Sequence, residues 1–266
     1  DVWLEELAAA KTAYPDRILI ASIMEEYEKD RWVEITERTQ ASGVDALELN
    51  FSCPHGLPER QMGSAMGQDP DIVEEVTGWV KSVAKIPVWA KMTPNITDIT
   101  LPAKAAERGG ADGLSAINTI LGVIGVNLDT LRPMPTVEGY SVAGGYSGRA
   151  VRPLALRQVM ECARACPELS ISGMGGVENA LDAAQFMALG ASTVQICTGA
   201  MLQGYEMITG LCQDLSDFLD SKEMTSVSEL VGVSLPYFST HADLVNRQRK
   251  AKREKAGQAE RDSMWQ

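Results

Sequence analysis

The stretch SGVDALELN, residues 42–50, contains the end of a predicted helix, a glycine turn and a short apolar strand in immediate succession. The stretch GGADGLSAIN, residues 109–118, has the same form, and LGASTVQI, residues 189–196, is a shorter relative of it. Glycine is typical of a helix C-terminus, and a short apolar run bounded by such a turn is typical of a buried strand. We interpret the three stretches as junctions of repeated helix-to-strand units, not as a solenoid repeat.

Short apolar runs of this kind recur along the chain, with predicted helices between them. The runs occupy residues 17–23, 45–50, 87–92, 112–117, 169–173 and 193–198. The intervening helices are predicted at residues 29–42, 69–84, 101–108, 152–165 and 179–189. Apolar runs without polar alternation fit strands that are buried on both faces, and the alternating order calls for parallel, right-handed βαβ units.

This order predicts an α/β fold, namely a (β/α)8 TIM barrel. Such a barrel has eight strands, whereas six are visible here, and the first fourteen residues are predicted to form a helix. We therefore expect the N-terminal two strands of the barrel to precede Asp1 in a longer gene product. An open doubly wound sheet is the alternative, which needs no missing strands, but the chain lacks a GxGxxG turn after its first strand. We predict a barrel domain over residues 1–245 and a charged C-terminal tail over residues 246–266.

Composition narrows the function classes. The net charge of -12 over 266 residues argues against nucleic-acid binding, and no apolar run is long enough to span a membrane. The five cysteines include no CxxC pair, so neither a disulfide framework nor a metal site is expected. Cys162 and Cys166, four residues apart on a predicted helix, fit two buried small apolar residues better than cluster ligands.

Polar and glycine residues gather where the predicted strands end. Lys91 ends the third strand, the glycines of GMGG (173–176) follow the fifth, and Thr198 follows the sixth. The second and fourth strands are followed by Asn50, Cys53 and His55 and by Asn118 and Thr119. In a barrel all these residues lie on the catalytic rim, and the loops after the last two strands commonly bind phosphate. Each of these features also has a purely structural interpretation when it is taken singly. Lys91 could reach solvent, and GMGG could form a tight turn. Cys53 could be a buried small residue, and His55 could be a surface residue.

One connection, residues 120–150, is longer than a simple turn between a strand and a helix. It is rich in glycine and proline and leaves the carboxyl end of a predicted strand. Long connections at that end of a sheet are commonly functional. We refer to residues 120–150 as the excursion.

Several longer sequence motifs together resemble those of a known family. They are NFSCPHG (50–56), GQDP (67–70), WAKMTPNITDI (89–99), AINT (116–119), GGYSG (144–148), AVRPLAL (150–156), GMGGV (173–177) and TVQICTGA (193–200). In this order they resemble the dihydropyrimidine dehydrogenases, in particular the single-domain plant-type form, through nearly the whole chain. The resemblance implies an FMN-binding (β/α)8 barrel related to dihydroorotate dehydrogenase. It also implies reduction of uracil and thymine to their 5,6-dihydro forms, with NADPH as the ultimate electron donor.

The resemblance also implies roles for individual residues. Cys53 matches the general acid that protonates pyrimidine C5, and His55 lies in the loop that closes over the substrate. Lys91 matches the lysine beside flavin N1 and O2. The residues that match the groups holding the pyrimidine ring are Asn50, Asn118 and Thr119. Those that match the surroundings of the ribityl chain and the phosphate are Gly148, Gly175, Gly176, Cys197 and Thr198.

Elementary chemistry agrees with these assignments. A thiol has an ordinary pKa near 8.5, so Cys53 can remain protonated and act as an acid at neutral pH. Amide side chains carry both donors and acceptors, which suits the alternating N–H and C=O edge of uracil. We expect residues 54–63, with Gly56 and Gly63 near the ends, to form a lid that excludes water.

Three functional hypotheses follow from the sequence. The first is an FMN-dependent pyrimidine reductase, and the second is a dihydroorotate-oxidising relative, for whose carboxylate substrate we see no clear cationic partner. The third is a truncated, non-catalytic structural or interaction subunit. The chain has no cysteine-rich segment for iron–sulfur clusters and no recognisable NADPH- or FAD-binding region. By resemblance alone, a homodimer and a plastid location are expected; without the resemblance, the location would be cytoplasmic.

Overall fold

Helices and strands alternate through most of the chain in this computed structural model, which describes residues 1–55 and 58–263. The strands of the main sheet are β1 (Ile20–Ile23), β2 (Ala46–Asn50), β3 (Val88–Lys91), β4 (Gly113–Ala116), β9 (Ser170–Met174) and β10 (Thr193–Gln195). The short strands of the excursion are β5 (Ile120–Gly122), β6 (Gly125–Asn127), β7 (Arg132–Met134) and β8 (Gly144–Tyr146). The helices are α1 (Val2–Ala13), α2 (Lys29–Ala41), α3 (Ser64–Gly67), α4 (Pro70–Lys81), α5 (Thr100–Arg108), α6 (Arg152–Ala165), α7 (Ala180–Ala188), α8 (Thr198–Gln203), α9 (Met207–Ser221) and α10 (His241–Ser263).

The main sheet has six parallel strands in the order β1-β2-β3-β4-β9-β10. Every strand therefore lies beside the one that precedes it in the chain, once the excursion strands are set aside. A doubly wound sheet would reverse direction at a switch point, and this order contains no reversal. Successive helices also pack against one another, as α2 does on α4, α4 on α5 and α5 on α6. The open-sheet alternative is thus wrong, and the singly wound order is that of a TIM barrel.

The sheet is strongly curled. Gln195 on β10 donates a hydrogen bond of 3.2 Å to Glu48 on β2. These strands are four places apart in the sheet, and a flat sheet would separate them by roughly 19 Å at about 4.8 Å per strand. The bond can form only because the sheet bends until its inner side chains meet, as the interior of a barrel requires.

Both faces of the central strands are buried, as the unbroken apolar runs predict. All four residues of β4 are buried, and so are the first four residues of β2. Leu47, Leu49 and Leu114 are fully buried core residues, whereas Glu48 and Ser115 alternate with them on the opposite face. One face thus packs on helices and the other carries polar groups.

Local signals in the sequence place several helix ends. Asp69 caps α4, because its carboxylate accepts hydrogen bonds from the backbone N–H groups of Asp71 and Ile72. Asn179 caps α7 through Asp182 N–H. Two predicted strands are too long, because only residues 20–23 of 17–23 and residues 193–195 of 193–198 are extended. Cys197 is the N-cap of α8 and Thr198 its first residue, so the predicted strand end is the start of a helix.

The excursion is an ordered addition to the barrel unit. β5 pairs with β8, and the pair β6 and β7 lies nested between them, both antiparallel, so the segment folds back on itself as one interrupted hairpin. It returns the chain to the rim at residues 144–148. The predicted length is confirmed, and the structure adds the two nested antiparallel strand pairs, which the Gly- and Pro-rich sequence does not indicate.

The chain forms two compact units, Asp1–Val233 and Ser234–Gln266. The second contains the helix α10, in which Arg247 pairs with Asp243 at 2.5 Å and Lys250 with Glu254 at 3.9 Å. The predicted boundary between residues 245 and 246 lies inside α10 and stays a prediction. Among the described residues, no helix is both long enough and apolar enough to cross a membrane.

Candidate active site

A cavity of about 230 Å³ lies at the carboxyl ends of the strands of the main sheet. Eight of the predicted site residues line it: Lys91, Asn118, Thr119, Gly148, Gly175, Gly176, Cys197 and Thr198. They come from the ends of β3, β4, β9 and β10 and from the end of the excursion. A larger and mainly apolar cavity of about 550 Å³ lies between α1, β1 and α2, but it contains none of the predicted residues. We take the smaller cavity as the candidate site, because specific polar groups converge on it.

Lys91 enters the cavity from the end of β3. Its ammonium lies 3.1 Å from a carboxylate oxygen of Glu48, and the two side chains are 17% and 7% exposed. Burial acts to raise the pKa of the Glu48 carboxyl, but the Lys91 ammonium opposes this effect. Hydrogen bonds from Ser115 and Gln195 add to the effect of Lys91, and the resulting pKa is lower than the ordinary value. The Glu48 carboxyl is therefore ionised at neutral pH.

A chain of side-chain hydrogen bonds joins two of the predicted substrate-binding amides. The side-chain oxygen of Asn50 accepts from the hydroxyl of Ser52 at 2.8 Å, and that hydroxyl accepts from the Asn118 amide at 2.9 Å. The Asn118 side-chain oxygen in turn accepts from the backbone N–H of Thr119 at 2.8 Å. Asn50 and Asn118 are thus held in fixed orientations, although 68 positions separate them in the chain.

Asn95 secures the other side of Thr119. Its amide donates to the Thr119 carbonyl at 3.2 Å, and its side-chain oxygen accepts from the backbone N–H of Leu121 at 2.8 Å. Asn95 follows β3 and these partners lie at the start of the excursion. The contact fixes the point at which the excursion leaves the rim.

The backbone is tightly packed where the loops after β9 and β10 meet. Gly176 has φ +76°, and a Cβ at this position would lie 2.7 Å from the carbonyl oxygen of Gly148. A Cβ at Gly175 would lie 2.7 Å from the side chain of Ala155. Thr198 donates a hydrogen bond of 3.0 Å to Ser147 and so ties the start of α8 to the end of the excursion. Side chains are excluded here, which leaves the backbone N–H groups as the groups that can face a ligand.

Three predicted residues do not line this cavity, namely Asn50, Cys53 and His55. Cys53 is half-buried, and its carbonyl accepts from Ser64 N–H at 3.0 Å at the start of α3. His55 is exposed. Gly56, one end of the predicted lid, lies outside the described residues. Asn50 is thus the last residue of β2, Cys53 and His55 lie on the segment that follows it, and none of the three is a wall of the cavity.

The two cysteines of α6 contrast with Cys53. Cys162 and Cys166 are both buried, which confirms their interpretation as small apolar residues. Burial raises the pKa of both thiols, that of Cys166 to about 11. Such thiols are unreactive at neutral pH.

The sequence matches the dihydroorotate dehydrogenase family over residues 1–219. The chain belongs to this family. Its relatives include the chloroplastic dihydropyrimidine dehydrogenase (NADP(+)) of Arabidopsis thaliana, which is 53% identical over 94% of this chain and 60% of the relative. They also include the NAD-dependent dihydropyrimidine dehydrogenase subunit PreA of Escherichia coli K12, which is 45% identical over 87% of this chain and 57% of the relative. The chain therefore spans about 60% of the length of these relatives.

Solved structures support the fold independently. A dihydroorotate dehydrogenase of Eimeria tenella, crystallised with ferulenol, superposes with a TM-score of 0.69 at 20% sequence identity. The match covers 87% of this chain and 67% of that one. At this identity the likeness shows the fold, and it confirms the predicted barrel class.

Most of the site residues follow the ends of the strands and could be predicted from the sequence, but four residues were not predicted. These are Glu48, Ser52, Asn95 and Gln195. Glu48 carries a signal in the sequence, because it is a charged residue within the apolar run DALELN and charged side chains are almost never fully buried unless paired. Ser52 and Asn95 lie within the quoted words NFSCPHG and WAKMTPN. Gln195 carries no signal of its own, because a single polar residue in a strand is common.

Proposed function

We propose that this chain forms the catalytic barrel of an FMN-dependent dihydropyrimidine dehydrogenase. The reaction is the reduction of uracil and thymine to 5,6-dihydropyrimidines, with NADPH as the ultimate electron donor. One observation carries the proposal. Lys91, the hydrogen-bonded amides of Asn50 and Asn118, and the tight glycine loop after β9 converge at one end of the sheet. The 53% identity to the Arabidopsis thaliana enzyme supports the substrate class.

The glycine loop fits the phosphate and ribityl chain of FMN. Dihydropyrimidine dehydrogenases of this family are FMN flavoproteins, and the Arabidopsis thaliana relative is named for NADP(+). Gly175 and Gly176 present backbone where a Cβ would collide with its neighbours, and Gly148 has φ +86°, at which an L side chain is strained. Backbone N–H groups of this kind bind phosphate oxygens. Thr198, whose hydroxyl is already fixed by Ser147, and Cys197 complete this end of the cavity.

Lys91 supplies positive charge to the same cavity. When bound, reduced FMN supplies a hydride to pyrimidine C6. The Lys91 ammonium stabilises the negative charge of the reduced isoalloxazine ring, since a fixed cation in a partly buried site acts more strongly than one in water. This assignment fits a lysine that is 17% exposed and lines the cavity.

The side-chain amides of Asn50 and Asn118 hold the pyrimidine ring. The oxygen of Asn50 is committed to Ser52, and within the described part of the chain its amide NH2 makes no hydrogen bond. It can therefore donate to a pyrimidine carbonyl oxygen. Asn118 and Thr119 approach from the neighbouring side, and their mutual hydrogen bond fixes both.

Cys53 donates the proton. Hydride addition at C6 leaves electron density at C5, and the Cys53 thiol gives its proton to that carbon while its sulfur becomes a thiolate. Solvent then returns a proton to the sulfur. The half-buried position at the end of the β2 segment fits a group that meets both substrate and solvent. His55, exposed in the same loop, belongs to the proposed lid over residues 54–63.

A spectral titration tests the proposal most directly. The purified chain is reconstituted with FMN, reduced anaerobically and mixed with uracil or with orotate, while flavin absorbance is followed. We expect reoxidation of the flavin by uracil and not by orotate. Flavin binding without reoxidation by uracil would contradict the pyrimidine assignment. A chain that takes up no FMN would favour a non-catalytic subunit.

A dihydroorotate-oxidising enzyme is the second candidate. The family match favours it, as does 40% identity over 72% of this chain to the catalytic subunit of dihydroorotate dehydrogenase B from Pyrococcus horikoshii. A carboxylate substrate requires a cation, and Lys91 is the one basic residue among those that line the cavity. That ammonium is already paired with Glu48. Reoxidation by orotate in the same titration would support this candidate instead.

The partners and the location complete the proposal. A homodimer fits the exposed apolar side chains of the excursion, such as Leu128, Val137 and Tyr140, because contact between copies would bury them. We propose a plastid location from the relative's chloroplastic name.

Replacing Gly176 by alanine should weaken FMN binding by about tenfold or more, which corresponds to roughly 1.4 kcal/mol. The residue has φ +76°, where an L side chain is strained, and the new methyl group would lie 2.7 Å from the Gly148 carbonyl. The loop must shift, and its N–H groups move away from the phosphate. Quenching of FMN fluorescence measures the change. Gly144→Ala is the matched control, since a Cβ there meets nothing within 4 Å. Equal affinities for the two variants would contradict the phosphate assignment.

A further inference from the structure

Five polar side chains meet on the inner face of the sheet. Lys91, Ser115 and Ser172 are in register on adjacent strands, and Glu48 and Gln195 reach them from β2 and β10. The Gln195 amide lies 3.2 Å from Glu48, 3.3 Å from Ser115 and 3.1 Å from Ser172. Lys91 and Gln195 line the cavity, whereas Glu48 lies behind them. Glu48 therefore acts on a cavity ligand through its neighbours.

Stability alone does not account for the charge on Glu48. A buried carboxylate loses several kcal/mol of hydration, and replacing a buried ion pair by apolar residues is often neutral or stabilising. Among the described residues, the Lys91 ammonium is the charge that acts on Glu48, and the other groups that act on it are the neutral side chains of Ser115 and Gln195. The carboxylate is nevertheless ionised, as the lowered pKa shows. Its one electrostatic partner is the cation that enters the cavity.

We propose that Glu48 is a positioning residue that keeps the Lys91 ammonium charged and directed into the cavity, and so sets the redox potential of the flavin bound there. Gln195 supports this role by fixing the second oxygen of the carboxylate. The inference rests on the proposed function, because it requires flavin in this cavity. It concerns a residue that touches neither flavin nor substrate.

The consequence is a redox potential that depends on pH in a particular way. With Glu48 ionised, the pair carries no net charge while Lys91 is protonated. In Glu48→Gln the ammonium has no counter-charge, so the flavin faces a net positive charge and is easier to reduce. The unpaired ammonium also loses its proton more readily as pH rises, because an opposite charge no longer favours it. Once Lys91 has lost its proton in the Glu48→Gln variant, the two side chains of the former ion pair carry no net charge.

The test is a spectroscopic redox titration of bound FMN against reference dyes, from about pH 6 to about pH 10, a range chosen to approach the ordinary lysine pKa. We expect the Glu48→Gln potential to exceed that of the unaltered chain at the acid end, with a difference that shrinks toward the alkaline end. Ser172→Ala, which removes a hydrogen bond but no charge, should follow the unaltered chain in parallel. In a Lys91→Met background, the difference that Glu48→Gln produces should not shrink toward the alkaline end, because no ammonium remains to lose its proton.

Parallel curves for Glu48→Gln and the unaltered chain would overturn the inference. Failure of the unaltered chain to bind FMN would instead overturn the proposed function, so the two failures are distinguishable. Thermal unfolding of each variant establishes that it is folded. If Glu48→Gln is unfolded, Glu48→Asp takes its place, because it keeps the charge but withdraws it from Lys91 by one methylene. A smaller change in the same direction is then expected, and its absence overturns the inference.

Discussion

Cys53→Ala is expected to lower the rate of uracil reduction by about 10²- to 10⁴-fold, the range typical of losing a general acid. Flavin binding and reduction of the flavin should be unchanged, because Cys53 does not line the cavity that we assign to FMN. The physical reason is that hydride transfer to C6 requires a proton at C5, and alanine has none to give. The measurement is a stopped-flow reaction of the reduced, flavin-loaded chain with uracil.

Cys212→Ala is the control for this variant. Cys212 is an exposed free cysteine on α9, away from the predicted site, and its replacement should leave the reoxidation rate unchanged. If Cys53→Ala reoxidises at the rate of the control, another group supplies the proton. If Cys53→Ala loses its flavin as well as its rate, the residue is structural and the assignment as an acid is wrong.

Gly67→Ala is expected to cause the largest loss of stability among the small substitutions available in this chain. A Cβ on Gly67 would lie 1.8 Å from the backbone carbonyl oxygen of Phe51. Phe51 is fully buried and directly follows Asn50, so neither its ring nor its backbone can move freely. We expect a cost at or above the upper end of the roughly 1–3 kcal/mol typical of overpacking. Urea unfolding followed by circular dichroism measures it.

The same variant should impair the site, because moving the Phe51 peptide displaces Asn50 on one side and Cys53 on the other. Gly78→Ala provides the matched control, since Gly78 lies inside α4 and a Cβ there meets nothing within 4 Å. Alanine favours the helix interior over glycine, so the control should gain roughly 0.5–1 kcal/mol. A cost below a few tenths of a kcal/mol for Gly67→Ala would show that α3 can move away from Phe51.

The elements that depend on nearby residues could be predicted from the sequence. The short apolar runs gave the six parallel strands to within a few residues, and Asp69 and Asn179 cap helices as such residues do. Eight of the eleven predicted site residues line one cavity, because the carboxyl ends of parallel strands lie at one end of a sheet. The prediction failed at 196–198, where an apolar run continues into the first turn of α8.

The contacts between distant strands could not be predicted in this way. Gln195 and Glu48 are 147 positions apart, and their contact depends on the curl of the whole sheet. Ser52 joins Asn50 to Asn118, again across strands that the sequence places far apart. Gly67 resembles any turn glycine in the sequence, and only its approach to Phe51 gives it a structural role.

By itself, the sequence determined the order of strands and helices, their approximate ends and the chemical groups that follow each strand. These features depend on hydrophobic periodicity, capping and backbone freedom, all of which act within a few residues. Only the tertiary structure decided which polar groups meet behind the cavity, how Lys91 is paired and which glycines exclude a side chain. Those outcomes depend on sheet curvature, which arises from the twist and packing of all six strands together and is carried by no single segment.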